Sequence, residues 1–590
     1  MDAPSSFFLS SMPTTKGKSQ KPTVSPASLN PFMKLETPNT QAKSNRLSKK
    51  IVHIKTYNTP QPPTPSNHSL SSALLNTLED IINKFIDPPR RSLVDPKVVL
   101  SHNFAPVDEL PPTECEIVEG ALPLCLNGAY IRNGPNPQFF PRGPYHLFDG
   151  DGMLHSIRIS DGKATLCSRF VKTYKYKMEH EAQTSILPNV FSGYNGLVGF
   201  AARTILAAAR FIAGQYNPSN GVGLANTSLA LFGDRLYALG ESDLPYEVSL
   251  MPNGDIQTLG RNDFEGNLVM SMTAHPKVDQ DTGETFAYRY GPVSPFLAYF
   301  RFDPQGNKQP DVPIFSVARS SFFHDFAITK KYAVFCDTQI EMDLIKLMLR
   351  GGSPMGFNPS RVSKIGVIPR YADDEKDIKW FEVPGFNFLH AINAWDEVDK
   401  NGNEIIVMIA ENIITPEHTF EQMDLIRLLV EKVRIELNTG VVSRQQLSTR
   451  NLNFGVLNPA YLGKKNKYVY TAVNNPVPKI TGIVKLDVSM VQDSRHECVV
   501  ASRMFGPGCY GGEPFFVASD PDNADEDEDE DEDEGYIVSY VHDENTGESK
   551  FLVMDAKSPS LDIVASVKLP QRVPYGFHGL FVREKDLQKL

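Results

Sequence analysis

The sequence predicts an all-β protein, a β-propeller with helical insertions that cap one face. From about residue 100 onward, short β-rich runs alternate with glycine-containing turn sequences, which are strong signals for hairpins when they separate apolar runs. Hairpins over about 490 residues favour many small sheets repeated around an axis, because radial repetition leaves few exposed edges. The turn sequences are Ser160–Lys163, Pro252–Asp255, Asp281–Glu284, Lys400–Asn403 and Asn545–Glu548.

Four histidines lie inside or at the end of short apolar runs that are typical of buried strands: His275, His324, His390 and His578. The intervals between them are 49, 66 and 188 residues, whereas the ligands of a local zinc site lie a few residues apart. A single histidine among the 13 is ordinarily a surface or hydrogen-bonded core residue. The shared strand setting instead suggests one metal ligand from each of several sheets, all directed at a common centre.

Composition limits the functions that the chain can have. The net charge of −11 argues against a nucleic-acid partner, and no run of about 18 uncharged apolar residues is present to span a membrane. The six cysteines contain no Cys-x-x-Cys pair, which excludes a thiolate metal site on spacing and suggests a reducing compartment.

The N-terminal segment, residues 1–50, has the composition of a plastid transit peptide. It holds nine serines and eight lysines or arginines, but only Asp2 and Glu36 as acids. Residues 51–68 follow as a linker rich in proline, asparagine and threonine, which has no apolar pattern that could pack.

Residues 69–97 are predicted to form an amphipathic helical extension, whose helix begins at Ser69 and ends before Pro88-Pro89. A second candidate helix, Leu197–Ala213, is apolar apart from Arg203 and Arg210. Each helix could simply dock on the core. Together they favour attachment to one leaflet of a membrane, with the arginines extending toward the lipid headgroups.

Residues 98–590 form the predicted propeller domain. Helical insertions are expected at Glu341–Arg350 and Thr415–Glu436. Residues 520–534 are expected to be a disordered acidic loop, because ten consecutive acids from Asp525 to Glu534 repel one another.

Four neutral imidazoles would leave a bound metal ion its full charge and room for further ligands. Imidazole suits zinc, copper, iron and nickel alike, so the ligand type leaves the metal open. A ligating histidine needs an acceptor for its second ring nitrogen. Glu241 and Glu513 are candidates because each follows or interrupts an apolar run, although either could be a turn residue in solvent.

These motifs together resemble the carotenoid cleavage dioxygenases of plants, over a region from about Pro106 to the C terminus. The fourth, plastid- and plastoglobule-associated subclass is the most similar. The segments that carry the resemblance are Gly128–Pro137, Phe148–His155, Gly240–Pro245 and those around the four histidines.

The resemblance implies a seven-bladed propeller with iron(II) on its axis, held by the four histidines. Glu241 and Glu513 match glutamates that support the ligands, and the third such position aligns near Asn475, which would be a departure from the family pattern. His146 and His155 lie in a family motif without matching ligands and are expected to be structural.

The implied activity is oxidative cleavage of a conjugated double bond of a carotenoid by O₂, at the 9,10 (9′,10′) position, giving apocarotenals and ionone-type products. Two alternatives stay open. The enzyme could cleave another bond, such as 7,8, or act on apocarotenoids or stilbenoids. The protein could also be a non-enzymatic carotenoid-sequestering protein of plastoglobules.

Overall fold

The structure, a computed structural model, describes residues 70–590 except 90–91, 188, 190, 343–347, 350, 421, 491–496 and 520–531. The predicted transit peptide and linker lie outside the described residues and stay predictions.

The described chain is mostly β, as predicted, and its paired strands are antiparallel. The first sheet has the order β1-β5-β4-β3-β33, so the two ends of the domain share one sheet. Its strands are β1 (Leu110–Glu114), β3 (Gly128–Pro135), β4 (Gly152–Ser160), β5 (Lys163–Phe170) and β33 (Gly579–Arg583).

Four sheets of four strands follow along the chain, and each keeps its strands in sequence order. The first two contain β6 (Ser228–Phe232), β7 (Arg235–Leu239), β8 (Tyr246–Leu250) and β9 (Ile256–Arg261), and then β10 (Lys277–Val278), β11 (Thr285–Tyr290), β12 (Leu297–Phe302) and β13 (Val312–Pro313). The third contains β14 (Ala327–Ile328), β15 (Tyr332–Asp337), β18 (Lys364–Pro369) and β19 (Lys379–Glu382), with a separate pair of β16 (Ile340–Met342) and β17 (Met355–Phe357). The fourth contains β20 (Phe388–Val398), β21 (Glu404–Ile413), β22 (Leu428–Glu436) and β23 (Val442–Gln446).

The last sheet is the largest, with ten strands, and it includes one strand from the start of the domain. Its strands are β2 (Glu116–Gly120), β24 (Leu452–Val456), β25 (Tyr468–Asn474), β26 (Ile480–Asp487), β27 (Val499–Met504), β28 (Cys509–Gly511), β29 (Phe515–Ala518), β30 (Gly535–Asp543), β31 (Ser549–Asp555) and β32 (Ile563–Lys568).

All five predicted turns join neighbouring antiparallel strands. Ser160–Lys163, for example, connects β4 to β5, and Lys400–Asn403 connects β20 to β21. Gly162 and Gly402 have φ of 75° and 81°, a backbone conformation that glycine adopts without the steric cost of a Cβ.

The hydrophobic core consists of clusters that are shared between consecutive sheets. One cluster joins the first sheet to the β6–β9 sheet, and the next joins the β6–β9 sheet to the β10–β13 sheet. Further clusters join each following sheet to the next, and one lies between the two halves of the ten-stranded sheet. A last cluster joins β29–β32 to the first sheet, so each of the sheets joined in this way buries both faces.

Helices are few in the described part of the chain. The α-helices are α1 (Leu70–Ile81), α2 (Pro96–Val99), α3 (Tyr174–Ala182), α4 (Gly196–Ile212) and α5 (Glu584–Leu587). A π-helical turn, Ile82–Ile86, continues α1. Short 3₁₀ turns are Ser92–Val94, His102–Phe104, Leu124–Leu126, Pro218–Asn220, Pro416–His418, Met423–Leu425 and Pro459–Tyr461.

Both helices predicted for the membrane interface are present, and they pack against each other. Leu75 and Ile82 bury their side chains against Leu206 of α4. Each helix also exposes an apolar stripe beside this contact. We call these two stripes together the α1–α4 face. Its residues are Leu74, Leu78 and Ile81 on α1, Phe85 in the π-helical turn that follows, and Leu197, Val198, Ile205, Phe211 and Ile212 on α4.

The prediction that the arginines of α4 extend toward lipid headgroups was wrong. Arg210 is 1% exposed and donates to Glu79 at 2.8 Å, and Arg203 contacts the buried Asp87. The guanidinium groups turn inward because carboxylates on the α1 segment compensate their charge there. The outer surface of α4 is therefore free of charge.

The predicted helical insertion at Thr415–Glu436 was also wrong. Its second half is β22, which pairs with β21 and β23 along its length, and its first half holds two 3₁₀ turns. The pattern of β-branched and charged residues in Leu428–Glu436 suits a strand with one polar face. For the predicted insertion at Glu341–Arg350, the first two residues belong to β16, and most of the others lie outside the described residues.

The end of the acidic run is folded, contrary to the prediction of a disordered loop up to residue 534. Glu532 is 3% exposed, and its carboxylate accepts hydrogen bonds from the backbone N–H groups of Lys467 and Tyr468, each at 2.7 Å. Asp533 pairs with Lys485 on β26. Backbone donors and a lysine thus offset the repulsion among the last acids, while residues 520–531 lie outside the described part.

Candidate metal centre

The four predicted histidines converge in the structure. His275 and His324 lie just before the first strands of two successive sheets, His390 lies near the beginning of the first strand of the next sheet, and His578 directly precedes β33. One ring nitrogen of each histidine lies within 4.8 Å of those of the other three. Residues that are up to 303 positions apart therefore meet at one point because equivalent strand ends of successive sheets face it.

The spacing of the imidazoles fits a shared metal ion. The Nε2 atom of His324 lies 3.2 Å from that of His275 and 3.1 Å from that of His390. Nitrogen ligands at about 2.0–2.1 Å from one ion are separated by about 3 Å when their bonds are near right angles. The ring nitrogens point at each other with no carboxylate between them in the described chain, so a cation is the group that this arrangement can hold.

Three of the histidines have a carboxylate partner on Nδ1. His578 donates to Glu513 at 2.8 Å, His390 donates to Glu411 at 2.7 Å, and His324 contacts Glu241. Each glutamate accepts a second hydrogen bond with its other oxygen: from Tyr290 OH to Glu241, from Gly455 N–H to Glu411 and from Gly579 N–H to Glu513. The carboxylates are held on both oxygens, which fixes the imidazole tautomers with Nε2 free to bind metal.

Glu411, and not Asn475, occupies the third supporting position. Asn475 is exposed in the turn after β25, where its backbone N–H donates to Lys479 at 3.1 Å. Glu411 is fully buried near the end of β21 and faces His390 on the paired strand β20. The departure predicted at Asn475 is therefore corrected, because the chain has a glutamate for each of the three histidines.

Burial determines most of the electrostatics at this centre. Burial lowers the pKa of His275 and His390 well below the usual range, and the neighbouring imidazoles lower them further. Burial also raises the pKa of Glu411 to about 8. For His324, burial opposes the charged form, but the Glu241 carboxylate outweighs it and raises the pKa. Neutral His275 and His390 are in the state that a metal requires.

Aromatic side chains form a continuous wall beside the histidines. The Phe322 ring stacks on His324 with a centroid distance of 5.2 Å and contacts Phe420 at 5.7 Å. Phe420 in turn contacts Phe148 and Phe191, and Phe148 contacts Phe577. The polar centre therefore adjoins an apolar surface that can contact a flat, conjugated ligand.

Phe454 lies on another side of the centre in a strained conformation. Its φ is 54°, in the left-handed region that non-glycine residues rarely adopt. The ring lies 5.4 Å from that of His578 and 6.1 Å from that of His390. Strain of this kind is often found at functional sites, where it holds a side chain in place.

A cavity of about 160 Å³ adjoins His275 and His578. Its wall is more polar than the aromatic side, since Ser228, Lys277 and Glu513 contribute to it. The centre is thus reached by polar space on one side and bounded by phenylalanines on the other.

His146 and His155 are not part of the four-histidine cluster. The Nδ1 atom of His155 lies 2.8 Å from Ser168 Oγ, and that of His146 accepts from the backbone N–H of Phe148 at 3.1 Å.

Sequence reasoning missed Glu411 and Phe454. The signal for Glu411 was present, because it is the one acid inside the otherwise uncharged stretch Ile405–Ile413. No sequence signal marks Phe454, whose position depends on a backbone conformation.

Comparison with known proteins identifies relatives over most of the chain. The family model of retinal pigment epithelial membrane protein (RPE65) matches residues 104–583. The chain is 62% identical to "Probable carotenoid cleavage dioxygenase 4, chloroplastic" of Arabidopsis thaliana, over 92% of this chain and 90% of the relative. It is 58% identical to "9-cis-epoxycarotenoid dioxygenase NCED1, chloroplastic" of rice (Oryza sativa subsp. japonica), over 88% of this chain and 81% of the relative.

Two further relatives have names that state a cleaved bond, and the bonds differ. The chain is 51% identical to "Zeaxanthin 7,8(7′,8′)-cleavage dioxygenase, chromoplastic" of Crocus sativus, over 63% of this chain and 99% of the relative. It is 39% identical to "Carotenoid 9,10(9′,10′)-cleavage dioxygenase 1" of Pisum sativum, over 89% of this chain and 96% of the relative.

Solved structures share the fold. A point mutant of Synechocystis apocarotenoid oxygenase matches with a TM-score of 0.65 and 26% identity, over 84% of this chain and all of that one. The lignostilbene dioxygenase of Pseudomonas brassicacearum matches with a TM-score of 0.67 at 23% identity, over 82% of this chain and 98% of that one.

Proposed function

We propose a function on one premise: the chain belongs to the RPE65 family, which includes the carotenoid cleavage dioxygenases. As an enzyme of this family, it cleaves a conjugated double bond of a carotenoid with O₂. The observation that carries the proposal is the four-histidine centre, supported by three glutamates, beside a wall of phenylalanines.

The metal in this proposal is iron(II), which His275, His324, His390 and His578 would hold through Nε2. Iron(II) would supply the activation of O₂ that cleavage of a double bond requires. The histidines alone suit several metals, and family membership favours iron among them.

The residues of the chain orient the reactants. Glu241, Glu411 and Glu513 keep three imidazoles in the tautomer that binds metal. The wall of phenylalanines that runs from Phe322 through Phe420 and Phe148 to Phe577 excludes water and places the flat polyene next to the histidines. This positioning decides which bond reacts. In this proposal, none of the described acids has to transfer a proton in the reaction.

We also infer that the sheets form a seven-bladed propeller. Core clusters link each sheet to the next, divide the ten-stranded sheet in two and return to the first sheet, which supports seven units in a ring. Pairing of β33 with β3 joins the two ends of the domain, as in a closed repeat.

The cleaved bond is proposed to be 9,10 (9′,10′), which would give apocarotenals and ionone-type products. The pea relative supports this position over nearly the whole chain, while the Crocus relative favours 7,8 over a shorter part of it. The alternative is that the substrate is a shorter apocarotenoid rather than a full-length carotenoid.

The protein is located in plastids, in agreement with the names of its chloroplastic and chromoplastic relatives. There we propose that the α1–α4 face attaches it to a membrane or plastoglobule surface. No described helix is both long and apolar enough to cross a bilayer. An uncharged face of exposed leucine, isoleucine and phenylalanine can still enter the lipid interface and bring the enzyme to its lipid-soluble substrate.

The test is product analysis with a carotenoid panel in liposomes. The purified, iron-loaded chain is incubated with each carotenoid under ¹⁸O₂, and products are identified by mass. Cleavage at 9,10 gives an ionone-type ketone with labelled oxygen, and cleavage at 7,8 gives a shorter fragment. Iron-loaded protein that binds carotenoid but leaves every pigment intact would refute the proposal in favour of sequestration.

A further inference from the structure

One buried ion pair lies beside the metal centre without contacting the ring nitrogens. Lys277 Nζ lies 2.8 Å from Asp325 Oδ1 and 3.1 Å from Asp325 Oδ2. The side chains are 13% and 3% exposed, and Lys277 also lines the 160 Å³ cavity next to His275. Neither residue takes part in the hydrogen bonds that the histidines donate to their glutamates.

The pair connects the three chain segments that carry His275, His324 and His390. Lys277 follows His275 by two residues, and Asp325 directly follows His324. Asp325 Oδ2 also accepts a hydrogen bond at 2.8 Å from the backbone N–H of Ala391, which directly follows His390. A single carboxylate therefore joins the beginnings of three successive sheets at the level of the ligands.

Asp325 is also held by its own segment, since Oδ1 accepts from the backbone N–H of Phe326 at 2.7 Å. Its oxygens thus receive two backbone hydrogen bonds and the lysine. A carboxylate that is 3% exposed requires such compensation, and Lys277 is the cation that supplies it.

We propose that Lys277 and Asp325 are a positioning pair that sets the relative placement of His275, His324 and His390 for metal binding. This inference rests on the proposed metal centre. It assigns a role to two residues that are neither candidate ligands nor glutamate partners of the ligands, since they act through the backbone segments to which the ligands belong.

The alternative is that the pair only stabilises the fold, as an ion pair elsewhere in the core would. Lys485 and Asp533 provide the comparison. Their side chains are 4% and 13% exposed, and they join β26 to the end of the acidic run. Lys485→Met removes a similarly buried lysine at a site that holds no candidate ligand.

The test measures metal affinity apart from catalysis. Co²⁺ is titrated into the metal-free full chain, and its visible absorption gives Kd and reports the ligand geometry. Variants are Lys277→Met, Lys277→Arg, Asp325→Asn, the double variant Lys277→Met/Asp325→Asn and the control Lys485→Met. Thermal unfolding is recorded for each, so that lost stability is separated from lost affinity.

Positioning predicts that Lys277→Met and Asp325→Asn both weaken cobalt binding, by about 10- to 100-fold, and change the spectrum. The effects are expected to be less than additive in the double variant, since either change breaks the same pair. Lys277→Arg should stay within about threefold of the wild type, because arginine also pairs with carboxylates. Lys485→Met should lower Tm and leave Kd unchanged.

A simple charge effect predicts a different outcome. Loss of the lysine would then strengthen binding of a dication and loss of the aspartate would weaken it. Opposite signs, or unchanged Kd with lowered Tm, would overturn the proposal. Asp325→Asn keeps an acceptor oxygen for Ala391 N–H, so it tests the pair even where Lys277→Met does not fold. Failure of the wild type to bind Co²⁺ would instead refute the metal centre itself.

Discussion

The metal centre and the α1–α4 face treat polar groups in opposite ways. At the centre, four imidazole nitrogens point at one another with no acid between them in the described chain. In the helical layer, Arg210 and Arg203 turn inward and are neutralised by Glu79 and Asp87. At the centre, the imidazole nitrogens that face one another have no acidic partner among the described residues. In the helical layer the charges are paired, but the apolar outer surface is not covered by the described part of the chain.

This difference shows which feature indicates binding. Buried charge alone does not, because the arginines of α4 are as buried as the ligands and serve only to hold two helices together. Binding is indicated instead by buried polar atoms or large exposed apolar surfaces that the protein itself does not compensate. Either arrangement costs free energy unless a ligand or another surface compensates for it. We therefore expect a cation at the centre and, as proposed above, lipid at the face.

The largest expected effect comes from removing a ligand. His324→Ala should weaken metal binding by more than about 100-fold and abolish carotenoid cleavage. Loss of the group that hydrogen-bonds a ligating histidine already lowers metal affinity by about 10- to 100-fold, and loss of the ligand itself should cost more. Metal content after anaerobic iron loading, together with product yield, measures it.

The matched control is His542→Ala, which removes another buried histidine that is not part of the cluster and whose Nδ1 lies 2.9 Å from Ser549 Oγ. It should lose some stability and keep its iron. Equal iron loss in both variants would mean that burial of histidine, not convergence, explains the result.

The α1–α4 face is tested by making it polar. Phe85→Ser combined with Ile212→Ser removes two side chains that are 69% and 82% exposed. If both enter lipid, the pair of changes should weaken liposome binding by about 3 kcal/mol, roughly 100-fold, at about 1.5 kcal/mol or more per buried side chain. Vesicle co-sedimentation measures the partition coefficient.

Two exposed valines on another part of the surface control for this change. Val398 and Val441 are 64% and 54% exposed near the hairpins of the β20–β23 sheet. Their replacement by serine should leave vesicle binding unchanged, and cleavage of a detergent-solubilised carotenoid should be the same in both double variants. Equal losses of vesicle binding would show that no particular face contacts lipid.

Local patterns made much of this molecule predictable from sequence. The five turns depend on residues at four adjacent positions, and the α1 helix on a period that is visible in 12 residues. The spacing of the histidines indicated only that distant strands converge, and the choice of these four among the 13 rested on the resemblance to the carotenoid cleavage dioxygenases. These features needed no knowledge of which side chain faces which neighbour.

The mistakes concern features that depend on register and on distant partners. β22 was mistaken for a helix because its apolar residues fit both periods, and only pairing with β21 and β23 decides between them. The direction of Arg210 depends on Glu79, which lies 131 residues away. The order at Glu532 depends on two backbone N–H groups of β25 and the residue before it.

Glu411 provides the last and smallest effect, and it sharpens the same contrast within the centre. Glu411→Gln keeps the shape but replaces one of the two carboxyl oxygens, which accept from His390 and Gly455 N–H, by an NH₂ group that cannot accept, so affinity for iron should fall by about 10- to 100-fold. Asn475→Ala, at the position that the family resemblance implies for this role, should change neither affinity nor activity, because Asn475 is exposed and its backbone N–H makes the hydrogen bond to Lys479. Iron titration and product yield on both variants measure the effect. A larger loss of iron affinity in the Asn475 variant than in the Glu411 variant would contradict the correction. A larger loss in the Glu411 variant would support the assignment of Glu411 as the partner that orients His390.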